Sequence, residues 1–189
     1  MNKKSSSTPI VSCQICSSDK LESVLFVGYI PPVNSMEVFG TVPVENNAYP
    51  LEMVRCESCS LVQIGLDVAP EILFPPSYPY LSASTRILRE NFANLCEETT
   101  DLLGLKSEDL VVDFGSNDGT LLSNFKNAGY RVLGVEPSQA GEIANANGIE
   151  TLISFFGEQT AKKVKQSHGK AQLITAANVF AHISDVHQV

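Results

Sequence analysis

The sequence predicts an α/β fold: an incomplete, doubly wound parallel sheet of about four strands, preceded by a small strand-and-loop domain. Three observations carry this. After Ser82, short apolar runs alternate with helix-length segments, the pattern of right-handed βαβ units. One run, LVVDFG, breaks into a glycine-rich turn from Gly115 to Gly119 ahead of the helix-forming TLLSNF. Before Leu66 the apolar patches are short and separated by Pro31-Pro32, Asn46-Asn47 and Pro50, which suits strands and loops and not long helices.

The composition fits this division. A chain of 189 residues, 43% hydrophobic and 18% charged, holds one ordinary domain, or a small domain plus part of a larger one. Thirteen Lys and Arg against 21 Asp and Glu give a formal charge of −8, which argues against nucleic acid or an anionic membrane as partner. No apolar run approaches the roughly 20 residues of a membrane span, and MNKKSSSTP leads into Ile10 without a signal-peptide stretch. The expectation is a soluble, cytoplasmic protein.

The elements follow in order. Residues 1–9 are polar and read as a disordered tail. Residues 10–69 form the first domain. Residues 70–81 carry Pro70, Pro75, Pro76 and Pro79 and read as a stiff connector without regular helix. Residues 82–189 form the second domain. It opens with a helix from Ser82 to about Leu103, on which Ile87, Leu88, Phe92, Leu95 and Cys96 recur at helical spacing. LVVDFG, YRVLGVEP, IETLISFFG and AQLITAANVF are its strands. TLLSNFKNAG, SQAGEIANANG and EQTAKKVKQSHG are the helices between them.

Cys13-Gln14-Ile15-Cys16 and Cys56-Glu57-Ser58-Cys59 are two CxxC pairs 39 residues apart. Each turn aims two thiolates at one point, and two such turns make a tetrahedral sulfur site suited to zinc. An iron–sulfur cluster is the competing reading. Four sulfurs leave no open position, so the zinc is expected to be structural. Cys96 stands apart, on the apolar face of a helix, as a small buried hydrophobe.

In the second domain, Gly115 and Gly119 allow positive φ and close approach of a ligand to the start of a helix. The spacing GSNDG is not the GxGxxG of nicotinamide and flavin binders. Asp113 precedes the turn and is placed to accept from a ligand amine. Glu136 ends the next strand 23 positions later, where such folds set an acid on ribose hydroxyls. Two acids favour a ligand with a cationic amine and a ribose, and no phosphate.

DFGSNDG, GVEPS and NVFAHI resemble the motifs of Rossmann-like class I methyltransferases, which use S-adenosyl-L-methionine (SAM). The double CxxC and the YPYLSAST segment narrow the resemblance to the zinc-containing sugar C-methyltransferases, which act on nucleotide-linked deoxysugars. It runs from Cys13 to Val189. The resemblance implies that Asp113, Gly115, Asn117 and Gly119 line the cofactor and that Glu136 holds its ribose. It also implies that Phe155 or Phe156 flanks the adenine and that Asn178 lies beside the methionine moiety.

Ala181-His182-Ile183 follows the fourth strand, and His182 can bind a substrate oxygen or move a proton near neutral pH. Tyr80, within the segment from Tyr78 to Ser84, is the expected pocket contact. Where the family shows Glu-His-Phe shortly afterwards, this chain reads Glu90-Asn91-Phe92. His168 and His187 are expected to face solvent, and Lys162, Lys163 and Lys165 to form a solvated helix face.

The resemblance implies proton removal beside a 4-keto group of a nucleotide-linked sugar, then attack of the enolate carbon on the sulfonium methyl. A seven-strand family sheet with a further substrate domain would extend past Val189 and carry the main base. The alternatives are a zinc-binding scaffold with a non-catalytic fold, or a methyltransferase for another small acceptor.

Overall fold

The structure is a computed structural model that describes residues 6–34, 38–42 and 45–189. It divides into two compact units. The first comprises Met1–Pro75 with Ser184–His187, and the second Pro76–Ile183 with Gln188–Val189. Among the described residues, no helix is long and apolar enough to cross a membrane.

The first unit is all antiparallel. β2 (Leu21–Ile30), β3 (Tyr49–Cys56) and β4 (Val62–Ile64) form a three-stranded meander with β3 central. The register shifts between Ser23 and Leu25 and again between Phe26 and Gly28. Such irregularities re-aim the side chains of a strand. A separate ladder joins β1 (Ser7–Pro9) to β5 (Leu66–Val68). The loose tail expected over residues 1–9 therefore needs correction. Residues 1–5 lie outside the described residues, but Ser7–Pro9 is a strand because β5 satisfies its backbone. The connector also departs from expectation, since Pro70–Leu73 makes one helical turn, α1. Pro70 opens that turn, where its missing N–H costs nothing.

Little of the first unit is buried. Among its described residues only Cys13, Val54, Cys56 and Gln63 are fully enclosed. Along β2, Val24, Leu25, Phe26, Val27 and Tyr29 are each about half exposed or more. A core this small supplies little of the free energy needed to offset chain entropy.

The second unit is a parallel four-stranded sheet built from β6 (Leu110–Phe114), β7 (Arg131–Val135), β8 (Thr151–Leu152) and β9 (Leu173–Thr175). The strand order is β8-β7-β6-β9. The helices are α2 (Arg86–Leu103), α3 (Thr120–Asn127), α4 (Gln139–Ala146) and α5 (Glu158–His168). All five residues of β6 are buried, Asp113 among four apolar neighbours, as a strand covered on both faces requires. Val111 faces a cluster with Phe92, Cys96, Leu121, Leu122 and Phe125. Leu110 and Val112 face the other side, with Leu133 and Val164. Burying each such side chain contributes about 1.5–3 kcal/mol.

The chain winds from β6 to β7 to β8, then returns to the far side of β6 for β9. The winding direction therefore reverses between β6 and β9. In doubly wound sheets the strand ends diverge at this point and leave a crevice.

The helix expected from Ser82 begins later, at Arg86. Ser82–Ser84 is a single 3-10 turn, and the extended backbone of Thr85 (φ −115°, ψ 134°) separates it from the helix; side chains of the glycine loop accept from the Ser82 and Ala83 N–H groups. The helix ends where expected, at Gly104, whose left-handed backbone (φ 59°) closes the last turn. Of IETLISFFG only Thr151 and Leu152 pair as strand.

Candidate functional site

In the first unit, the two CxxC turns share one local design. The carbonyl of Cys13 accepts from Ser17 N–H (2.9 Å), and that of Cys56 accepts from Ser60 N–H (2.8 Å). The N–H of Cys13 donates to Ser18 and that of Cys56 to Leu61, both at 2.8 Å. Ser17 and Ser60 both have left-handed backbone, with φ of 59° and 65°. Buried Gln63 braces the first turn, accepting from Gln14 N–H (3.0 Å) and donating to the Ser12 carbonyl (3.3 Å).

All four cysteines are free thiols whose sulfurs lie within 4.8 Å of one another. The short pairs run between turns: Cys13 to Cys59 at 3.5 Å and Cys16 to Cys56 at 3.6 Å. A tetrahedral zinc with Zn–S near 2.3 Å sets its sulfurs about 3.8 Å apart, so the residues fit this ion. The pKa of the Cys13 thiol is lowered to about 6, chiefly by the backbone N–H of Cys16. That of Cys59 is pushed up to about 12. The Leu61 N–H, the largest single influence, favours its thiolate, but the sulfurs of Cys13, Cys16 and Cys56 together with burial outweigh it. The first proton thus leaves easily and the last leaves against accumulated negative charge, which a divalent ion would cancel.

In the second unit, the reversal of winding coincides with the glycine loop. Asp113 on β6 pairs in register with Thr175 on β9, and Thr175 Oγ1 donates to Asp113 Oδ1 (2.7 Å). The Asp113 carboxyl is 2% exposed, and its pKa is raised to about 7. Burial is the main cause. The Thr175 hydrogen bond partly opposes it, and the Glu136 charge adds to it.

Glu136 is also buried, at the end of β7. Its Oε1 accepts from Ser138 N–H (2.9 Å) and Ser138 Oγ (2.6 Å), and its Oε2 accepts from Asn117 N–H (3.0 Å). A carboxylate has about four acceptor positions, so one remains, on Oε2. That suffices for one ligand hydroxyl. The two buried carboxylates, Asp113 and Glu136, are acceptors, which suit a cation with hydroxyls better than a phosphate.

Gly115 and Gly119 both have positive φ, 66° and 78°. A methyl group at Gly115 would overlap the side chain of Val179, and one at Gly119 would lie 3.0 Å from Ile149. Packing within the domain thus excludes a side chain at Gly115, whatever a ligand requires.

Residues 87–189 match the family described as a methyltransferase domain. The chain belongs to the methyltransferase-domain family. Ahead of this methyltransferase domain, residues 13–74 match the family described as "Putative zinc binding domain". The chain is 32% identical over 183 residues to the C-methyltransferase NovU of Streptomyces niveus. That match covers 96% of this chain but 43% of the relative, so the chain spans under half of that protein's length. Among solved structures it resembles magnesium protoporphyrin IX methyltransferase from Synechocystis PCC 6803 with bound SAM (18% identity, 51% of this chain and 49% of that one, TM-score 0.38). It also resembles the plantazolicin methyltransferase BpumL in complex with SAH (19% identity, 56% and 49%, TM-score 0.39).

Within the methyltransferase domain, the other expected site residues are less enclosed. Phe156 stacks on Phe114 with ring centroids 4.5 Å apart, so one of its faces is taken, whereas Phe155 is 39% exposed. Asn178 is exposed, with φ of 57°. His182 is exposed in the 3-10 turn Phe180–His182, and Tyr80 is 43% exposed. His168 is not solvent-facing as expected. Its Nε2 lies 3.0 Å from Glu150 and its Nδ1 2.7 Å from Ser167 Oγ.

Sequence reasoning misses Thr175 and Ser138. Ser138 has a signal as the N-cap of α4, where its hydroxyl accepts from Ala140 N–H. Thr175 has none, because only strand register brings it to Asp113.

Proposed function

We propose that this chain is the zinc- and cofactor-binding portion of a SAM-dependent C-methyltransferase that acts on a nucleotide-linked 4-keto-deoxysugar. The observation that carries the reading is the pair of buried carboxylates, Asp113 and Glu136, on adjoining strands beside the glycine loop. The similarity to NovU supports carbon methylation, and the YPYLSAST segment supports the sugar acceptor.

In this reading Asp113 accepts from the amine of SAM, Glu136 Oε2 accepts one ribose hydroxyl, and the loop from Gly115 to Gly119 lies against the methionine end. Asn178 borders that end and Phe155 offers its free face to the adenine. When bound, SAM supplies an electrophilic methyl on a sulfonium that leaves as a neutral thioether. Tyr80 and His182 are the candidates to touch the sugar, Tyr80 through its phenol and His182 as a hydrogen-bonding or proton-moving group at a substrate oxygen. Cys13, Cys16, Cys56 and Cys59 hold a structural zinc, and thiolate ligation of this kind suits a reducing cytoplasm.

Calorimetric titration with SAM tests the cofactor site, and metal analysis tests the zinc. The reading predicts one SAM and one zinc per chain. A zinc-loaded chain that binds no SAM would favour a scaffold that keeps the fold without the chemistry. Methyl transfer by the full-length protein to a nucleotide 4-keto-deoxysugar, compared with simple alcohols and amines, tests the acceptor.

A further inference from the structure

Four side-chain hydrogen bonds fasten one stretch of backbone in the second unit. Asn117 Nδ2 donates to the Tyr80 carbonyl (2.9 Å), and Asn117 Oδ1 accepts from Ser82 N–H (2.8 Å). Asp118 Oδ2 accepts from Ala83 N–H (2.8 Å). Arg89, in α2, donates to the Ala83 carbonyl. Three of these four bonds come from two consecutive residues of the glycine loop. The same Asn117 gives its backbone N–H to Glu136 Oε2. A continuous path of hydrogen bonds therefore runs from Glu136 through Asn117 to Tyr80 and Ser82.

Burial makes this path consequential. Ser82, Asn117 and Asp118 are each no more than 8% exposed, whereas Tyr80 is 43% exposed. The Asn117–Ser82 bond is buried at both ends, so breaking it leaves both unsatisfied, whereas the bonds to Tyr80 and Ala83 are buried only at the glycine-loop end. Both atoms of the Asn117 carboxamide are engaged, which fixes its rotamer. Its left-handed backbone (φ 52°) is a conformation that asparagine tolerates better than most residues.

We propose that Asn117 and Asp118 are positioning residues that latch the Tyr80–Ala83 segment to the glycine loop, so that seating a ligand on Glu136 also fixes Tyr80. This rests on the reading of the loop as the SAM site. A ribose hydroxyl on the remaining position of Glu136 Oε2 shares that oxygen with the Asn117 N–H, and any shift of the loop to admit or release it strains the latch. By reciprocity, opening the latch weakens the ligand by the factor with which the ligand closes it. Asn117 thereby acts on Tyr80 through its side chain and on Glu136 through its backbone N–H.

Hydrogen exchange by mass spectrometry, with calorimetry on the same chain, tests this without an activity assay. SAM is expected to slow exchange at the Ser82 and Ala83 amides of the parent about tenfold. Asn117→Ala is expected to abolish that protection and weaken SAM binding about tenfold, equivalent to about 1.4 kcal/mol, while β6 and β7 exchange as before. SAM binding to the parent with no slowing at Ser82 and Ala83, or unchanged affinity in Asn117→Ala, overturns the latch. If Asn117→Ala unfolds the domain, Asp118→Asn decides. Loss of protection confined to Ala83 with weaker SAM supports the latch, and unchanged binding overturns it. Absence of SAM binding by the parent is a different result, and it overturns the cofactor reading on which the latch rests.

Discussion

Replacing Asp113 with Asn removes a buried charge and keeps the shape, because the amide oxygen can still accept from Thr175 Oγ1. The pKa of the parent carboxyl is raised from 3.8 to about 7 in the folded protein, chiefly by burial. Between those values the folded chain holds a proton that the unfolded chain has lost. The stability from this group is therefore fully present below pH 4 and declines as pH rises, levelling off above 7. Roughly three pH units at about 1.36 kcal/mol each make the loss about 4 kcal/mol. The amide of Asp113→Asn does not titrate, so the variant should match the parent near pH 4 and exceed it by a few kcal/mol at pH 8. Urea denaturation followed by circular dichroism across that range measures the difference, and subtraction cancels titration elsewhere. A gap that does not change with pH would refute the claim that burial governs Asp113. With Asp113 accepting from the amine as proposed, SAM should reverse the preference, since that contact needs the carboxylate. Parent affinity should rise from pH 5 to 7.5, while Asp113→Asn binds weakly throughout.

Three further outcomes are expected. Cys56→Ser should reduce bound zinc below one equivalent and unfold the first unit while the amides of β6 and β7 remain protected; metal analysis with hydrogen exchange checks both. Gly115→Ala should cost roughly 2 kcal/mol or more, since strain at φ 66° adds to overlap with Val179, whereas Gly129→Ala, with φ of 94° and nothing within 4 Å, should cost about 1 kcal/mol; urea midpoints compare them. Glu136→Gln places an amide against a backbone N–H or the Ser138 donors, which should destabilise the domain by about 1–3 kcal/mol and weaken SAM; thermal melts and calorimetry measure each.

Much of this is legible in the sequence because the informative residues are local. A CxxC pair declares its geometry within four positions, and LVVDFG declares a strand buried on both faces. The acids at Asp113 and Glu136 lie at strand ends that periodicity can place. What escapes a reading of the sequence depends on contacts distant along the chain. Thr175 reaches Asp113 across 62 positions, and Asn117 reaches Tyr80 across 37. Ser82 and Ala83 lie within a helical pattern, yet α2 begins at Arg86, because Thr85 is extended and the preceding turn is held to the distant glycine loop. β1 reads as a loose tail since Ser7 and Thr8 are polar and only pairing with β5 orders them.

The exposed apolar strand β2 has a consequence for handling the protein. It carries Leu25, Phe26, Val27 and Tyr29 along the free edge of its sheet, with scarcely any core beneath. Such an edge is a template for pairing with another chain. The cysteine cluster encloses β2 in a loop from Cys13 to Cys59, and a metal bound there favours the folded unit because its site exists only when the two turns are brought together. Chelation would release that staple and free a sticky ribbon. Turbidity on adding a chelator, cleared by early return of zinc, would show that the ion's daily service is to keep the protein in solution.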